Sequence, residues 1–415
     1  MYHVRQHFAR PKVSDIPKAV RAALSEKKLA IKPGANIAIT VGSRGISSID
    51  VIAAAAVEFV KSAGGKPFII PAMGSHGGAN PKGQAELLES YGISERFMGA
   101  RIESSMDVVE IPAPKLENRV FMDRLAWESD GVLLLNRVKP HTDFHGRWES
   151  GLVKMAVIGL GKQRQAEEIH SFGVRGIRDL VAPSARVVFN TGKIVGGLGI
   201  IENAYDETMA VEAFRPDEIL DGDEELLNIA RKHMPSLPVS SLDLLVGDAI
   251  GKDKSGTGMD TNIIGRIYIR GQNEPTEPEI SSIYVADLSP ATHGNAVGMG
   301  LADVIHRRLF EKIDFKASYA NIITSSFFER GKIPIIADSD SDGISISLRG
   351  AGCRDIGAAR IARIRSTLDM TELLVSQAVF DEIAENENIE IIGEPDPLLD
   401  KAGQLPVLQG AHDGG

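Results

Sequence analysis

The sequence predicts an α/β protein of two domains, each with a largely parallel sheet flanked by helices. Short apolar strands alternate with helical segments along most of the 415 residues, which is typical of parallel sheets covered on both faces. The stretch HMPSLPVSS, residues 233 to 241, contains two prolines and three serines and is typical of an interdomain connector. We therefore expect an N-terminal domain over residues 1–240, a C-terminal domain over residues 241–415, and an active site in the cleft between them.

The first domain is predicted from repeated strand, glycine-rich loop and helix units. Ser47 with Asp50 resembles a capping box that would start a helix, and Asn80 with Pro81 resembles an N-cap followed by a proline in the first turn. The predicted strands are Ile37–Val41, Pro67–Ala72, Gly131–Val138 and Arg186–Asn190, with a further extended stretch at 193–204. The predicted helices cover residues 15–27, 80–92, the segment through Met155 to His170, and 217–232.

The second domain repeats the same kind of pattern. Strands are predicted at 242–248, 281–288 and 333–338, and a helix is predicted near 297–309. The first of these strands leads into a polar glycine-rich loop, IGKDKSGTGMDTNIIG. The sequence DSDSDG at 338–343 imitates the start of a calcium loop, but its twelfth position is Arg349, so we reject an EF-hand. The tail after Pro395 is polar.

Composition excludes several classes of function. With 46 Lys and Arg against 56 Asp and Glu, the formal net charge is −10, and no basic cluster with interleaved aromatics suggests nucleic acid as a partner. No apolar run is long enough to span a bilayer and the first residues do not resemble a signal peptide, so we expect a cytoplasmic protein without a membrane role. Cys353 is the only cysteine, which excludes an internal disulfide, a multi-cysteine zinc site and an iron–sulfur cluster.

Three predicted loops carry polar side chains to the carboxyl ends of parallel strands, where ligands bind in open sheets. Arg44 lies in VGSRGIS just before a helix and suits an anion, although a surface salt bridge would also explain it. His76 lies among glycines in MGSHGG, and it is either a ligand-facing histidine or an ordinary loop residue. His141 and His145 follow in KPHTDFHGRWESG, where the spacing alone gives little support for a metal pair.

A lysine and a histidine sixteen residues apart form a second candidate pair. Lys154 lies in the apolar run GLVKMAVIGLG, where a lysine is either extended toward the surface or desolvated for covalent chemistry. His170, in AEEIHSFG, is also explained by its position at a helix C-terminus. In the second domain, the polar loop offers Lys252, Asp260 and Asn262, which are able to cap the mouth of the first domain.

The ordered set of these motifs resembles the nickel-dependent lactate racemase family. The resemblance rests on KPGANIAITVGSRGISS, then MGSHGG, then a PH loop leading to a lysine, and then a histidine sixteen residues later. These motifs cover roughly residues 30 to 170, and the loop GTGMDTN extends the likeness into the second domain.

The resemblance implies a racemase or epimerase of a 2-hydroxy acid that uses a nickel-pincer nucleotide, a pyridinium mononucleotide that supplies sulfur and carbon donors to nickel. It implies that Lys154 carries this cofactor covalently, that His170 binds the nickel, and that Ser75 contacts the cofactor. His76 and His141 would be the acid/base pair and Arg44 would hold the substrate carboxylate. The orientation of the substrate would fall to Lys252, Asp260 and Asn262.

Departures from the family pattern leave some assignments open. The interval between His141 and Lys154 is longer than expected and contains FHGRWESG, so His145 competes with His141 for the acid/base role, and Arg147, Trp148 or Glu149 would reshape the pocket. A larger or more polar 2-hydroxy acid than lactate is expected. The alternatives are a redox or elimination enzyme with the same cofactor, and a non-catalytic protein that binds phosphate or metal ligands. Partners beyond the substrate would be cofactor biosynthesis proteins, and the sequence leaves the oligomeric state open.

Overall fold

The computed structural model describes residues 1–43 and 45–408. Arg44, one of the predicted site residues, lies outside the described residues. The chain divides into an N-terminal unit, Ala9–Met234, and a C-terminal unit that comprises Met1–Phe8 and Pro235–Gly415. This division falls within the predicted connector. The first eight residues, however, belong to the C-terminal unit, because the first strand pairs with two strands near the end of the chain.

The strands lie close to most of the predicted positions. Within the described residues they are β1 (Tyr2–Gln6), β2 (Asn36–Val41), β3 (Lys66–Pro71), β4 (Arg101–Ile102), β5 (Val108–Ile111), β6 (Val120–Asp123), β7 (Gly131–Arg137), β8 (Ile194–Glu202), β9 (Thr208–Phe214), β10 (Ser241–Ile250), β11 (Glu279–Leu288), β12 (Val304–His306), β13 (Ile335–Ala337), β14 (Ile361–Ile364), β15 (Glu372–Val375) and β16 (Ile389–Ile391).

The α-helices, again within the described residues, are α1 (Ile16–Glu26), α2 (Ile49–Ser62), α3 (Pro81–Ser90), α4 (Glu95–Met98), α5 (Arg124–Glu128), α6 (Leu152–Lys154), α7 (Lys162–His170), α8 (Val181–Asn190), α9 (Ile219–Lys232), α10 (Thr261–Ile264), α11 (Arg307–Glu311), α12 (Phe315–Ser325), α13 (Asp340–Gly350) and α14 (Gln377–Ile383). Two π-helical segments, Met155–Gly159 and Gly176–Leu180, follow α6 and precede α8.

The N-terminal unit is built on a six-stranded sheet in the order β4-β3-β2-β7-β8-β9. All neighbours are parallel except β9, which runs antiparallel to β8. Ile37, Ile39 and Val41 of β2 belong to one hydrophobic cluster, whereas Thr40 points to the other face and its buried hydroxyl accepts a hydrogen bond from the amide of Leu135. The predicted parallel sheet is confirmed, and β2 lies between β3 and β7.

The C-terminal unit contains an eight-stranded sheet in the order β13-β12-β11-β10-β14-β15-β1-β16. The run from β13 to β14 is parallel, and the remaining strands are antiparallel. Leu245 belongs to one hydrophobic cluster of this unit, and Leu244 and Val246 belong to another. Because successive side chains of a strand point to opposite faces, both faces of the sheet are covered. The fold class is the predicted one.

Of the two helix caps predicted from the sequence, the one at Asn80 is confirmed, and Asp15 caps a further helix. The Asp15 carboxylate accepts from the amide of Lys18 at 2.9 Å to start α1, and the Asn80 side chain accepts from Gly83 at 2.8 Å to start α3. The capping box predicted at Ser47 is wrong. The N-cap of α2 is Ser48, which is left-handed and makes no side-chain cap bond, while the Ser47 amide donates to Glu202.

Two other elements differ from the prediction. Residues 186–190, predicted as a strand, form the end of α8, because the buried residues Val181, Ala185 and Val188 recur at helical spacing along the preceding turns. The helix predicted over 297–309 is instead a short 3₁₀ turn, the strand β12 and the start of α11. Among the described residues, no helix combines the length and the apolar character that crossing a membrane requires.

Candidate active site

A cavity of about 230 Å³ opens in the N-terminal unit where β2, β3 and β7 end. Its lining comes from the three loops that follow these strands and from the helical segment between residues 154 and 177. Parallel strands bring their carboxyl ends to one edge of the sheet, so residues from distant parts of the sequence meet here. Five predicted site residues line the cavity: Ser75, His76, His141, Lys154 and His170.

Four further predicted site residues, His145, Lys252, Asp260 and Asn262, are not part of this lining. His145 does not line the cavity, and its Nδ1 lies 3.4 Å from the Glu149 carboxylate. In the C-terminal unit, Lys252 Nζ donates to Asn321 at 2.6 Å. Asp260 is the N-cap of α10, where it accepts from both the amide and the side chain of Asn262. These contacts give Asp260 and Asn262 a structural role in their loop.

His76 is held by its own loop and by the loop after β2. Its Nδ1 forms a hydrogen bond with the Ser43 hydroxyl, and the Ser43 carbonyl accepts from the Tyr91 hydroxyl. The buried side-chain amide of Gln84 donates to the carbonyls of Gly74 and His76 at 3.0 and 3.1 Å. These bonds fix the backbone that carries His76. Sequence reasoning missed Gln84, although its position in the first turn after the Asn80 cap places it beside the loop.

The glycines of this loop are required by its backbone. Gly77 has a φ of +64°, and a Cβ there would lie 2.8 Å from the amide nitrogen of Gln84. A side chain is therefore excluded both by conformation and by space.

The loop after β7 is organised around the buried carboxylate of Glu149. This carboxylate accepts from the amides of His141 and Gly146 at 2.5 and 3.0 Å and pairs with Arg231 at 2.6 Å. Burial opposes ionisation of Glu149, but hydrogen bonds from His145 and from the two amides outweigh it and lower the pKa of Glu149 below its ordinary value. Glu149 is thus ionised at neutral pH and fixes the backbone of His141.

Lys154 and His141 meet inside the cavity. The Lys154 Nζ lies 2.5 Å from His141 Nε2, and His141 Nδ1 accepts from the amide of Asp143 at 3.0 Å. The His141 ring also packs against Phe144, with their centroids 4.7 Å apart. The predicted lysine and one of the two competing histidines are therefore in direct contact.

A buried acid positions the turn that carries Lys154. The Asp223 carboxylate accepts from the amides of Leu152 and Val153 at 2.8 and 3.2 Å, which satisfies two unpaired donors at the start of α6. Gly151 allows this approach, since a Cβ there would lie 2.2 Å from Asp223 Oδ1. Burial raises the pKa of Asp223 to about 6. The π-helical turn begins directly after Lys154, and such turns occur frequently at functional sites.

His170 lines the cavity and has a buried ring nitrogen without a hydrogen-bond partner among the described residues. It is the last residue of α7, and this nitrogen is Nδ1. Burial, followed by the positive charge of Lys154, lowers the pKa of His170, so its imidazole is neutral at neutral pH. No group of three or more His, Cys, Asp or Glu residues suited to a metal occurs in the described ranges.

The charges around the cavity favour an anionic ligand. Arg137 and Lys139 line it as well, and among the described lining residues Asp143 is the only acid. Arg137 pairs with Glu202, which also accepts from the Ser47 amide at 2.6 Å. Sequence reasoning missed Arg137 and Lys139, although both lie at the end of a predicted strand that leads to this mouth.

A buried ion pair connects the elements around the cavity. Lys162 and Asp123 lie 2.9 Å apart, and both side chains are fully buried. The Lys162 ammonium also donates to the carbonyl of Pro71, the last residue of β3. Since Lys162 begins α7 and Pro71 precedes the His76 loop, this contact links the helix of His170 to that loop.

Comparison with known proteins gives a structural match. No protein-family model matches the chain, and no curated protein sequence matches it. The structure of the lactate racemase apoprotein from Thermoanaerobacterium thermosaccharolyticum aligns with 88% of this chain and 94% of that one, with a TM-score of 0.51 and 11% identity. The chain has a lactate racemase-like fold. At this identity the likeness concerns the fold alone.

The residues of this cavity fit the nickel-pincer group that the sequence resemblance implies. A single protein ligand is sufficient when the cofactor brings its own sulfur and carbon donors, and the unpaired buried Nδ1 shows that the His170 imidazole is not consumed by the fold. Lys154 offers a primary amine for attachment in the same cavity. Asp143 is the only acid in the described lining, so an oxygen-ligand metal site does not fit.

Proposed function

We propose that this protein is an isomerase that racemises or epimerises a 2-hydroxy acid. The observation that carries the proposal is the meeting of His76, His141, Lys154 and His170 in one cavity at the ends of parallel strands. The four residues come from three separate segments of the sequence. The lactate racemase-like fold supports the proposal. The presence of the predicted cofactor and acid/base residues in one cavity supports it independently.

Two histidines suit the proton chemistry of such a substrate. His76 follows β3 and His141 follows β7, and β2 separates these two strands in the sheet. Since neighbouring strands lie about 4.8 Å apart, the two histidines reach the cavity from either side of the β2 loop. Each is able to take the hydroxyl proton from one hand of the substrate and to return it to the other. The geometry favours His141 over His145, which lies outside the cavity lining.

Proton transfer from the hydroxyl does not by itself invert the carbon, because the Cα–H of a 2-hydroxy acid is far too weak an acid for histidine. A nickel-pincer nucleotide on Lys154 and His170, with Ser75 as a further contact, would supply a hydride acceptor and donor, so that the carbon passes through a planar 2-keto acid. The chain's own residues bind the anion, hold the hydroxyl proton and exclude bulk water.

We assign binding of the substrate carboxylate to cationic side chains. Lys139 and Arg137 give the cavity a positive wall, and Arg44 is the proposed ligand of the carboxylate. Orientation of the substrate by Lys252, Asp260 and Asn262 stays a prediction. A substrate larger or more polar than lactate likewise stays a prediction.

The experiment first tests whether the protein incorporates the cofactor and then measures racemisation. The protein is produced together with a nickel-pincer biosynthesis system, and its intact mass and nickel content are measured. The loaded protein is then incubated with single enantiomers or epimers of 2-hydroxy acids, and loss of stereochemical purity is followed by chiral chromatography. We expect His76→Ala to load normally and to lose at least 100-fold in turnover, because general acid–base catalysis typically contributes 10²- to 10⁴-fold.

The matched control is His145→Ala, which removes a histidine outside the cavity lining and should retain turnover within a few-fold. Net formation of a keto acid or an unsaturated acid would show a redox or elimination enzyme instead. An unmodified mass without nickel, under conditions that load a known racemase, would exclude the proposed cofactor.

A further inference from the structure

A side-chain contact joins two loops at the mouth of the cavity. The Ser43 hydroxyl and His76 Nδ1 form a hydrogen bond, and both residues line the cavity. Ser43 follows β2 and His76 follows β3, and these parallel neighbours stay paired as far as Val41 and Pro71. The amide of Ala72 then donates to the Val41 carbonyl at 2.8 Å, which keeps the two segments together beyond the strands. The pairing of the strands therefore brings the hydroxyl beside the imidazole.

One helix supports both partners of this contact. The Tyr91 hydroxyl, directly after the end of α3, donates to the Ser43 carbonyl. Near the start of the same helix, the side-chain amide of Gln84 donates to the His76 carbonyl at 3.1 Å. Because α3 holds the backbone of both residues, the approach of their side chains depends on the fold and not on the two loops alone.

His76 gains from such a contact because its side chain is exposed. An exposed side chain on a glycine-rich loop samples several rotamers, and ordering it costs conformational entropy. A ring that exchanges a proton with a bound molecule must present one nitrogen in one direction. The hydrogen bond at Nδ1 contributes to this selection, and it directs the other ring nitrogen, Nε2, away from Ser43.

We infer that Ser43 is a positioning residue for His76, and that its oxygen accepts from Nδ1–H so that proton exchange in the cavity takes place at Nε2. A hydroxyl suits this task, because its oxygen is able to accept from Nδ1–H in the neutral imidazole and in the cation. The contact therefore survives each gain and loss of a proton at Nε2. The inference rests on the proposed function only for the identity of the proton donor, the hydroxyl of a 2-hydroxy acid.

The choice of a hydroxyl at this place has an electrostatic consequence. Catalytic histidines are often oriented at Nδ1 by a carboxylate, which also stabilises the imidazolium ion. Ser43 orients the ring without a negative charge, so the neutral imidazole is not disfavoured and an anionic ligand is not repelled. This agrees with the cationic side chains of Arg137 and Lys139 in the same lining.

The first measurement uses the unloaded full-length protein, without nickel or substrate. Histidine labelled with nitrogen-15 and carbon-13 gives the chemical shifts of the ring nitrogens, which distinguish a protonated nitrogen from an unprotonated one. A spectrum of His76→Gln identifies the His76 signals. We expect neutral His76 to carry its proton mainly on Nδ1. A proton mainly on Nε2 in the wild type would overturn the inference, and this result depends on no variant of Ser43.

Two substitutions test the role of the hydroxyl. Ser43→Ala removes it and Ser43→Thr retains it. The loss of one hydrogen bond should lower the ratio of the Nδ1–H to the Nε2–H tautomer about threefold or more in Ser43→Ala, whereas Ser43→Thr should stay within about twofold of the wild type. The control is Ser90→Ala, which removes an exposed hydroxyl that donates to the Leu87 carbonyl at the end of α3.

The outcomes of these substitutions are distinct. An unchanged tautomer ratio in Ser43→Ala overturns the inference, and so does an equal loss in Ser43→Ala and Ser90→Ala. A loss in Ser43→Thr as large as that in Ser43→Ala would show that the hydroxyl is not responsible, which also overturns it.

Turnover of the loaded protein gives a second readout. We expect kcat of Ser43→Ala to fall about tenfold with KM within about threefold, because His76 is still present but less often in its productive orientation and tautomer. Ser43→Thr should recover most of this loss. A purely structural role predicts reduced cofactor loading, measured by intact mass and nickel content, with normal kcat per loaded site, and that outcome overturns the inference.

Failure of the inference differs from failure of the proposed function. A wild type that loads the cofactor but racemises no 2-hydroxy acid removes the proposed function, while the tautomer ratio still decides the role of Ser43. An active racemase in which Ser43→Ala leaves both the tautomer ratio and kcat unchanged removes the inference alone.

Discussion

The buried Asp223 gives the structure a stability signature that depends on pH. Burial raises the pKa of Asp223 from 3.8 to about 6, which corresponds to about 3 kcal/mol of differential stability between the two protonation states. The folded state therefore binds the proton more tightly than the unfolded state. The stabilisation is fully present below pH 3.8 and is lost as the pH rises through 6. Asp223→Asn removes this titration.

The stabilisation from Asp223 is measured as the change in the free energy of unfolding between two pH values, compared between the wild type and the variant as a double difference. The free energy of unfolding is obtained by urea titration for the wild type and for Asp223→Asn at pH 4.5 and at pH 7. Both tryptophans, Trp127 and Trp148, belong to the N-terminal unit, so their fluorescence reports the unfolding of the unit that contains Asp223. From pH 7 to pH 4.5, we expect the wild type to gain about 2 kcal/mol relative to the variant, since groups common to both cancel.

Asp221→Asn is the control on the same helix, because the Asp221 side chain is 78% exposed. Its double difference should stay within about 0.5 kcal/mol. A double difference for Asp223→Asn that is equally small, or of the opposite sign, would refute the link between burial and the raised pKa. At pH 7, Asp223→Asn should also weaken the start of α6, because an amide is able to accept only with its oxygen.

Three further predictions concern the frame of the cavity. Lys162→Met should destabilise the N-terminal unit by about 3–5 kcal/mol, because Asp123 becomes an unpaired buried charge. In urea titrations, the double variant with Asp123→Asn should recover much of this loss. A double variant without recovery would contradict the ion-pair explanation. Glu149→Gln should speed hydrogen exchange at the Gly146 amide, and unchanged protection would show that the loop has another anchor. Gly77→Ala should cost at least about 1 kcal/mol, since a left-handed φ alone costs about 1–2 kcal/mol, and an unchanged urea midpoint would contradict this.

The sequence predicted those parts of the structure that depend on local pattern. The apolar run Ile37–Val41 and the Asn80–Pro81 cap are local signals, and the structure has a strand and a helix start at these positions. The run at 186–190 is also a local signal, and it gave the wrong prediction of a strand. Its β-branched valines favour a strand, but the buried positions extend back to Val181 at helical spacing.

The choice between His141 and His145 could not be made from the sequence. The two are four residues apart in one loop, and which of them faces the cavity depends on where the loop is anchored. The anchor is Glu149 with its partner Arg231, 82 residues away in sequence. Neither a spacing nor a propensity predicts that contact. Asp223, which positions the turn of Lys154 from 70 residues away, was missed for the same reason.

The buried acids around the site stabilise its backbone without lining the cavity. Four carboxylates with little or no exposure hold the segments that carry site residues, and none of them lines the cavity: Asp123, Glu149, Glu202 and Asp223. Glu149, Glu202 and Asp223 accept hydrogen bonds from backbone amides of those segments, whereas Asp123 pairs with Lys162 at the start of α7. Carboxylates are strong acceptors for such amides, yet inside the cavity they would repel an anionic substrate. Placing them behind the backbone supports the site while the cavity lining keeps Arg137, Lys139 and the neutral imidazole of His170.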